Sequence, residues 1–185
     1  MAELLAPAGS ADHVKAAIAA GADAVYLGGR QHSLRARAAN FSEDEVRQGV
    51  AFAHAHGVRV YAAVNIFAHN RDLDGVAASL AFLQEAGVDA CIVADPGILR
   101  LARQHVPGMP LHLSTQMNVS NREHALFWQE QGLARLNLAR ELGCEEIAAI
   151  RKAVRCGLEV FIHGALCIAY SGRCLLSAYF TGRDA

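Results

Sequence analysis

The 185-residue chain holds only four prolines and has almost no net charge, −1 with its histidines neutral. Scarce proline, with 53% of residues apolar and 19% charged, excludes a disordered or linker-like polypeptide and gives a single domain a substantial core. Near-neutrality excludes a global basic field, so any RNA contact needs a local patch or a further domain. Long hydrophobic runs are missing too: a charge or a glycine interrupts each before it reaches membrane-spanning length. The start, Met1-Ala2-Glu3-Leu4-Leu5, lacks the basic and apolar regions of a signal peptide. The expectation is a cytoplasmic protein with no membrane partner. Thiols stay reduced there, so the five cysteines read as ligands, nucleophiles or core residues rather than disulfides. His-Glu-x-x-His and Gly-x-Ser-x-Gly are absent, which weakens zinc protease and serine hydrolase readings.

What the chain does have is alternation. Short β-branched or apolar runs predict strands over residues 3–7, 24–27, 59–65, 90–94, 111–115, 135–139 and 159–163. Longer patterns between them predict helices over 12–20, 42–56, 73–86, 96–105, 121–131 and 144–154. Ser42 with Glu45 three residues on is a capping box, and Asp95-Pro96 sets an N-cap before a first-turn proline. Gly21, Gly57, Gly87 and Gly132 stand where helices should end. About seven βα units in succession predict an α/β fold, a TIM-like (β/α) barrel incomplete by one unit. A doubly wound sheet is the rival, but no Gly-x-Gly-x-x-Gly follows the first strand. Residues 1–185 then form one barrel domain whose open edges call for a partner or a further C-terminal segment.

In such barrels chemistry sits on the loops after the strands. Those positions hold Ser10, Arg30, Asn65, Asp95, Ser114-Thr115-Gln116, Arg140-Glu141 and His163, which predicts a shared site on one rim. Ser10 and Asp95 also read as helix caps, and Arg140-Glu141 also reads as a loop tether. Arg30, Arg35 and Arg37 cluster after the second strand, where planar forks suit phosphates or carboxylates; a solvated loop is the alternative. His54-x-His56 is a poor metal pair, because residues two apart on a helix diverge. Cys91, Cys144 and Cys156 read as structural thiols.

The sharpest signal comes last. Cys167 and Cys174 flank Tyr170-Ser171-Gly172-Arg173 in a loop beyond the seventh strand. Thiolates there suit a soft metal centre, and four would hold an iron–sulfur cluster. A thiol–imidazole pair, Cys167 as nucleophile and His163 as base, is a second reading. Two buried cysteines beside a core histidine are a third.

Glu3-Leu4-Leu5-Ala6-Pro7-Ala8-Gly9-Ser10, Gly21-Ala22-Asp23-Ala24-Val25-Tyr26 and His163-Gly164-Ala165-Leu166-Cys167 with Tyr170-Ser171-Gly172-Arg173-Cys174 resemble the collagenase-like peptidase family, a class of unknown catalytic type. The resemblance runs through essentially the whole chain. Three further stretches, residues 33–37, 127–133 and 139–142, are most similar to the branch that hydroxylates uridine at the tRNA wobble position with prephenate as co-substrate. It implies a [4Fe–4S] cluster, with Cys167 and Cys174 as two of its four ligands and the others outside these 185 residues. Arg30, Arg35, Arg37 and Arg140 then become candidates for binding prephenate carboxylates or RNA phosphates. Asn65 and Gln116 become candidate substrate contacts, and His163, Tyr170, Arg140 and Glu141 candidate catalytic residues. Hydroxylation of ribosomal RNA cytidine, peptide cleavage and a non-catalytic accessory role are the alternatives.

Overall fold

The computed structural model describes residues 2–33, 41–164, 167–174 and 179. Its strands are β1 (Leu5–Pro7), β2 (Ala24–Gly28), β3 (Arg59–Val64), β4 (Ala90–Val93), β5 (Leu111–Leu113), β6 (Arg135–Asn137) and β7 (Gly157–Glu159). Each pairs in parallel with the next, so the spatial order is the chain order. The helices are α1 (Ala11–Ala19), α2 (Glu43–Ala55), α3 (Leu73–Glu85), α4 (Pro96–His105), α5 (Arg122–Glu130) and α6 (Cys144–Ala153). Laid flat, strands one and six would stand about 24 Å apart at ordinary strand spacing. Yet Glu3, just ahead of β1, accepts a hydrogen bond from Arg135 of β6 at 2.6 Å. The sheet is therefore curled into an open, TIM-like half-barrel, as the βα count predicts.

Alternation along the strands makes two layers. Val60, Ala62 and Val64 of β3 and Cys91 and Val93 of β4 face the helices. There they join Val14 of α1, Val50 of α2, Leu80 of α3, Ile98 of α4, Trp128 of α5 and Ile150 of α6 in the main core. Tyr61, Ala90 and Ile92 form a second, smaller cluster with Ala24 on the opposite, inner face. Burial pushes the Cys91 thiol up to about 12, so it is an inert core residue.

The predicted caps are present. Ser42 N–H donates to Glu45 Oε2 at 2.7 Å, and Glu45 N–H donates back to Ser42 Oγ. Asp95 Oδ1 accepts from Ile98 N–H at 3.0 Å, with Pro96 opening α4. Gly21, Gly57, Gly87 and Gly132 follow their helices at positive φ.

Strand ends differ from expectation: β1 opens at Leu5 instead of residue 3, β2 reaches Gly28, and β3, β4 and β6 stop at Val64, Val93 and Asn137. The fifth and seventh strands differ most. The fifth strand stops at Leu113, because Ser114 turns to cap a short 3₁₀ turn, Thr115–Met117. The seventh runs over Gly157–Glu159 instead of residues 159–163. Its only described partner, β6, ends at Asn137 opposite Glu159, so the ladder has nothing further to pair with. The apolar run Val160-Phe161-Ile162, which prompted the later placement, lies exposed beyond the strand. No described helix is long and apolar enough to cross a membrane.

Candidate functional site

Parallel strands bring all their carboxyl ends to one rim. Asn65 follows β3 and Gln116 lies in the turn after β5; Asn65 Nδ2 donates to Gln116 Oε1 at 2.8 Å. Gln116 Nε2 returns a bond to the Asn65 carbonyl at 3.2 Å, and Ser114 Oγ donates to Gln116 Oε1 at 3.0 Å. Three of the predicted rim positions thus form one polar edge. Ser10 and Asp95 are helix caps, accepting from His13 and Ile98.

Beside that edge sits the loop carrying the two cysteines. Ser171, 0% exposed, is its hub. Its Oγ accepts from both the backbone N–H and Nε of Arg140, each at 3.2 Å, and its own N–H donates to Glu141 Oε1 at 2.7 Å. Arg140 Nη2 donates to the Ala169 carbonyl at 2.8 Å, and Nη1 donates to the Cys167 carbonyl. Thr115 Oγ1 donates to the Leu138 carbonyl at 3.1 Å and lies 3.4 Å from Ser171 Oγ. Gly172, at φ +74°, packs onto the Gln116 backbone so closely that an added Cβ would lie 2.8 Å from the Gln116 carbonyl carbon. Burial raises the Glu141 carboxyl, but the Ser171 N–H bond and the Arg140 charge outweigh it and hold the group below the carboxylate range.

Arg140 and Glu141, expected as catalytic groups, thus have their polar atoms engaged in holding the loop. Cys167 is exposed and Cys174 half-buried. His163 is also exposed, in a bend beyond β7. That corrects the reading of buried thiols beside a core histidine. Tyr170 is exposed on the same loop.

Arg30 lines a cavity of about 290 Å³ with Gln31, His32, Phe41 and Phe82. It approaches Glu45 at 3.8 Å across an exposed gap. Arg35 and Arg37 lie outside the described residues. His54 and His56 turn to separate partners, Asp89 Oδ2 and the Phe52 carbonyl, as divergent helix positions should. Cys144 opens α6 and is exposed, while Cys156, expected at a helix end, sits half-buried just before β7. Among the described residues no three His, Cys, Asp or Glu side chains gather as a metal site. The 167–174 loop therefore matches a soft metal centre in the kind of its donors and offers two of them.

Sequence reading missed a second polar network, inside the barrel at the opposite end of the strands. Arg135 Nη1 donates to Glu3 Oε1 at 2.6 Å and lies 3.5 Å from Glu159 Oε2. Tyr61 OH also meets the Glu3 carboxylate, at 3.0 Å, and Arg59 pairs with it. The guanidinium lies 5.1 Å from the Tyr61 ring centre, and His112 packs edge-on to the same ring at 4.7 Å. Burial, joined by the Arg135 charge, lowers the His112 imidazole to about 4. The signal available in the sequence was the alternation Arg135-Leu136-Asn137-Leu138, which puts a charged and a polar side chain on one face of a strand.

Over 182 residues the chain is 48% identical to tRNA hydroxylation protein P1 of Bacillus subtilis, covering 98% of this chain and 43% of that protein. It is 42% identical over 183 residues to the 23S rRNA 5-hydroxycytidine C2501 synthase of Escherichia coli, covering 99% of this chain and 27% of that enzyme. The chain thus spans less than half the length of these curated relatives. Among solved structures, the U32 peptidase Mk0906 superposes with a TM-score of 0.73 at 19% identity, over 86% of this chain and 68% of that one, which supports the fold. The family model described as peptidase family U32 matches residues 9–185, and the chain belongs to that family.

Proposed function

We propose that this chain is the barrel portion of an RNA-modifying hydroxylase that forms 5-hydroxyuridine at the tRNA wobble position. The observation that carries the reading is the thiol loop seated at the carboxyl ends of β5 and β6, in a chain 48% identical to a tRNA hydroxylation protein. The weaker identity to a ribosomal RNA synthase makes rRNA cytidine the second substrate class. Hydroxylating a pyrimidine ring needs redox capacity that side chains lack, so a cofactor must carry it. Cys167 and Cys174 would hold a [4Fe–4S] cluster together with two ligands from outside these residues, and that group would supply the electron transfer.

The chain's own residues bind and orient. Asn65, Ser114 and Gln116 present amide and hydroxyl groups suited to the edge of an unstacked base. The exposed Tyr170 ring is available to stack on it, and His163, also exposed, is available to move a proton. Arg30, with Arg35 and Arg37, would take prephenate carboxylates or RNA phosphates. The Arg30–Glu45 pair is solvent-exposed, so a ligand anion can compete for it.

The test is nucleoside mass spectrometry of tRNA from the source organism with the gene deleted. The expected result is loss of 5-hydroxyuridine and its derivatives, restored by the gene but not by Cys167→Ser or Cys174→Ser versions. Unchanged tRNA nucleosides with a lost rRNA hydroxycytidine would move the substrate to ribosomal RNA. Full restoration by both serine variants would remove the cluster assignment. Peptide cleavage blocked by Cys167 alkylation would favour the peptidase reading.

A further inference from the structure

We infer that Arg140 is the positioning residue of the cysteine loop. Together with Glu141 and the seat of Gly172 on Gln116, it fixes residues 167–174 in one register against the rim. The same seat couples that register to the Asn65–Gln116–Ser114 edge. The chemical purpose of the device rests on the hydroxylase reading; the device itself does not.

The described loop has no strand or helix to satisfy its backbone. Two side chains adjacent in sequence do so instead. The Arg140 fork spans acceptors on residues 167, 169 and 171, so a single planar group sets the curvature of the loop immediately after Cys167. Glu141 takes the Ser171 N–H from the other side. Among the described residues the Arg140 acceptors are carbonyl and hydroxyl oxygens of the loop itself.

Gly172 adds a steric register. Its positive φ and its contact with the Gln116 backbone admit no side chain. Gln116 is also the residue whose amide bonds Asn65 in both directions. Displacement of the loop therefore displaces the polar edge with it.

The experiment is limited trypsin digestion of the native protein without added iron, following cleavage after Arg173 by mass spectrometry. Arg140→Ala should speed that cleavage about 100-fold, since loop opening no longer breaks the guanidinium bonds. Gly172→Ala should do the same with Arg140 intact. Arg140→Lys keeps the charge but not the planar fork, so cleavage should stay at least about tenfold faster than in the wild type. Full rescue by lysine would overturn the fork argument, and unchanged cleavage in both Arg140→Ala and Gly172→Ala would overturn the proposal. Iron content after anaerobic reconstitution separates this from the functional reading. Fast cleavage in the variants of a protein that never takes up iron would leave the device standing and remove the cluster. Normal cleavage in variants of an iron-loaded protein would do the opposite.

Discussion

Arg135 opens β6 and Arg140 lies in the turn beyond its other end, and the two do different work with the same guanidinium. Arg135 lies inside the barrel among charges, held by Glu3 and Glu159 and laid over the Tyr61 ring. Glu3 and Arg135 are far apart in sequence, so their contact ties the first strand to the sixth across the interior. Arg140 is half-buried at the rim and bonds the carbonyls and hydroxyl of an irregular loop. The first arrangement is a structural cement; the second is a mount. An arginine matched to two carboxylates in a largely enclosed interior is costly to remove, because the partners keep their charge with little water to screen it. One matched to backbone carbonyls near solvent costs little globally, because water takes its place.

The sharpest way to break this contrast is Arg135→Leu. It should lose about 3–5 kcal/mol of stability by leaving Glu3 and Glu159 unpaired. In a domain of this size that lowers the melting temperature by about 10 °C in a thermal scan. Arg140→Ala should shift the same melt by only a few degrees. Equal losses from both would end the distinction.

Next in size is acid sensitivity, which belongs to the interior network. Burial and then the Arg135 charge lower His112 to about 4 from an ordinary 6.5. The unfolded chain therefore binds this proton near pH 6.5 while the folded chain refuses it until about pH 4. Stability should fall by about 3 kcal/mol as the pH drops through that window. Glu3 is raised by burial but lowered further by Arg135, Tyr61 and Arg59, so it adds a loss as the pH falls below the ordinary carboxylate range. Glu159, pushed up by burial, works in the opposite direction. His112→Phe keeps a ring against Tyr61 and removes the titration, so urea melts of this variant should be flatter between pH 6.5 and 4. An unchanged slope would put the sensitivity elsewhere.

The smallest expected effect is Glu141→Gln. The amide oxygen still accepts from Ser171 N–H, with less charge behind it. Global stability should stay within about 0.5 kcal/mol of wild type, while cleavage after Arg173 rises a few-fold. A large drop in melting temperature instead would mean that the rim loop belongs to the barrel's cement.

Much of the fold was legible in the sequence because its signals are local. The Ser42–Glu45 box, the Asp95-Pro96 start and the glycines after four helices each act within a few residues, and each stands where the sequence puts it. The βα alternation gave parallel strands and the open barrel. The seventh strand was misplaced because Val160-Phe161-Ile162 has the composition of a strand, and composition says nothing about whether a neighbour is there to pair with it. The candidate site was legible by position: Asn65, Ser114 and Gln116 do meet, because residues after parallel strands share a rim.

The sequence alone determined the order of elements, the helix boundaries, the family and the residues that carry reactive groups. Only the tertiary structure decided what those groups touch. It turned Arg140 and Glu141 into the holders of the cysteine loop, made buried Ser171 its hub, and joined Glu3 to Arg135 across the barrel. Local patterns are written by neighbours along the chain. Contacts between residues 31 or 132 positions apart depend on how far the sheet curls and where each strand stops, and those are set by packing across the whole domain.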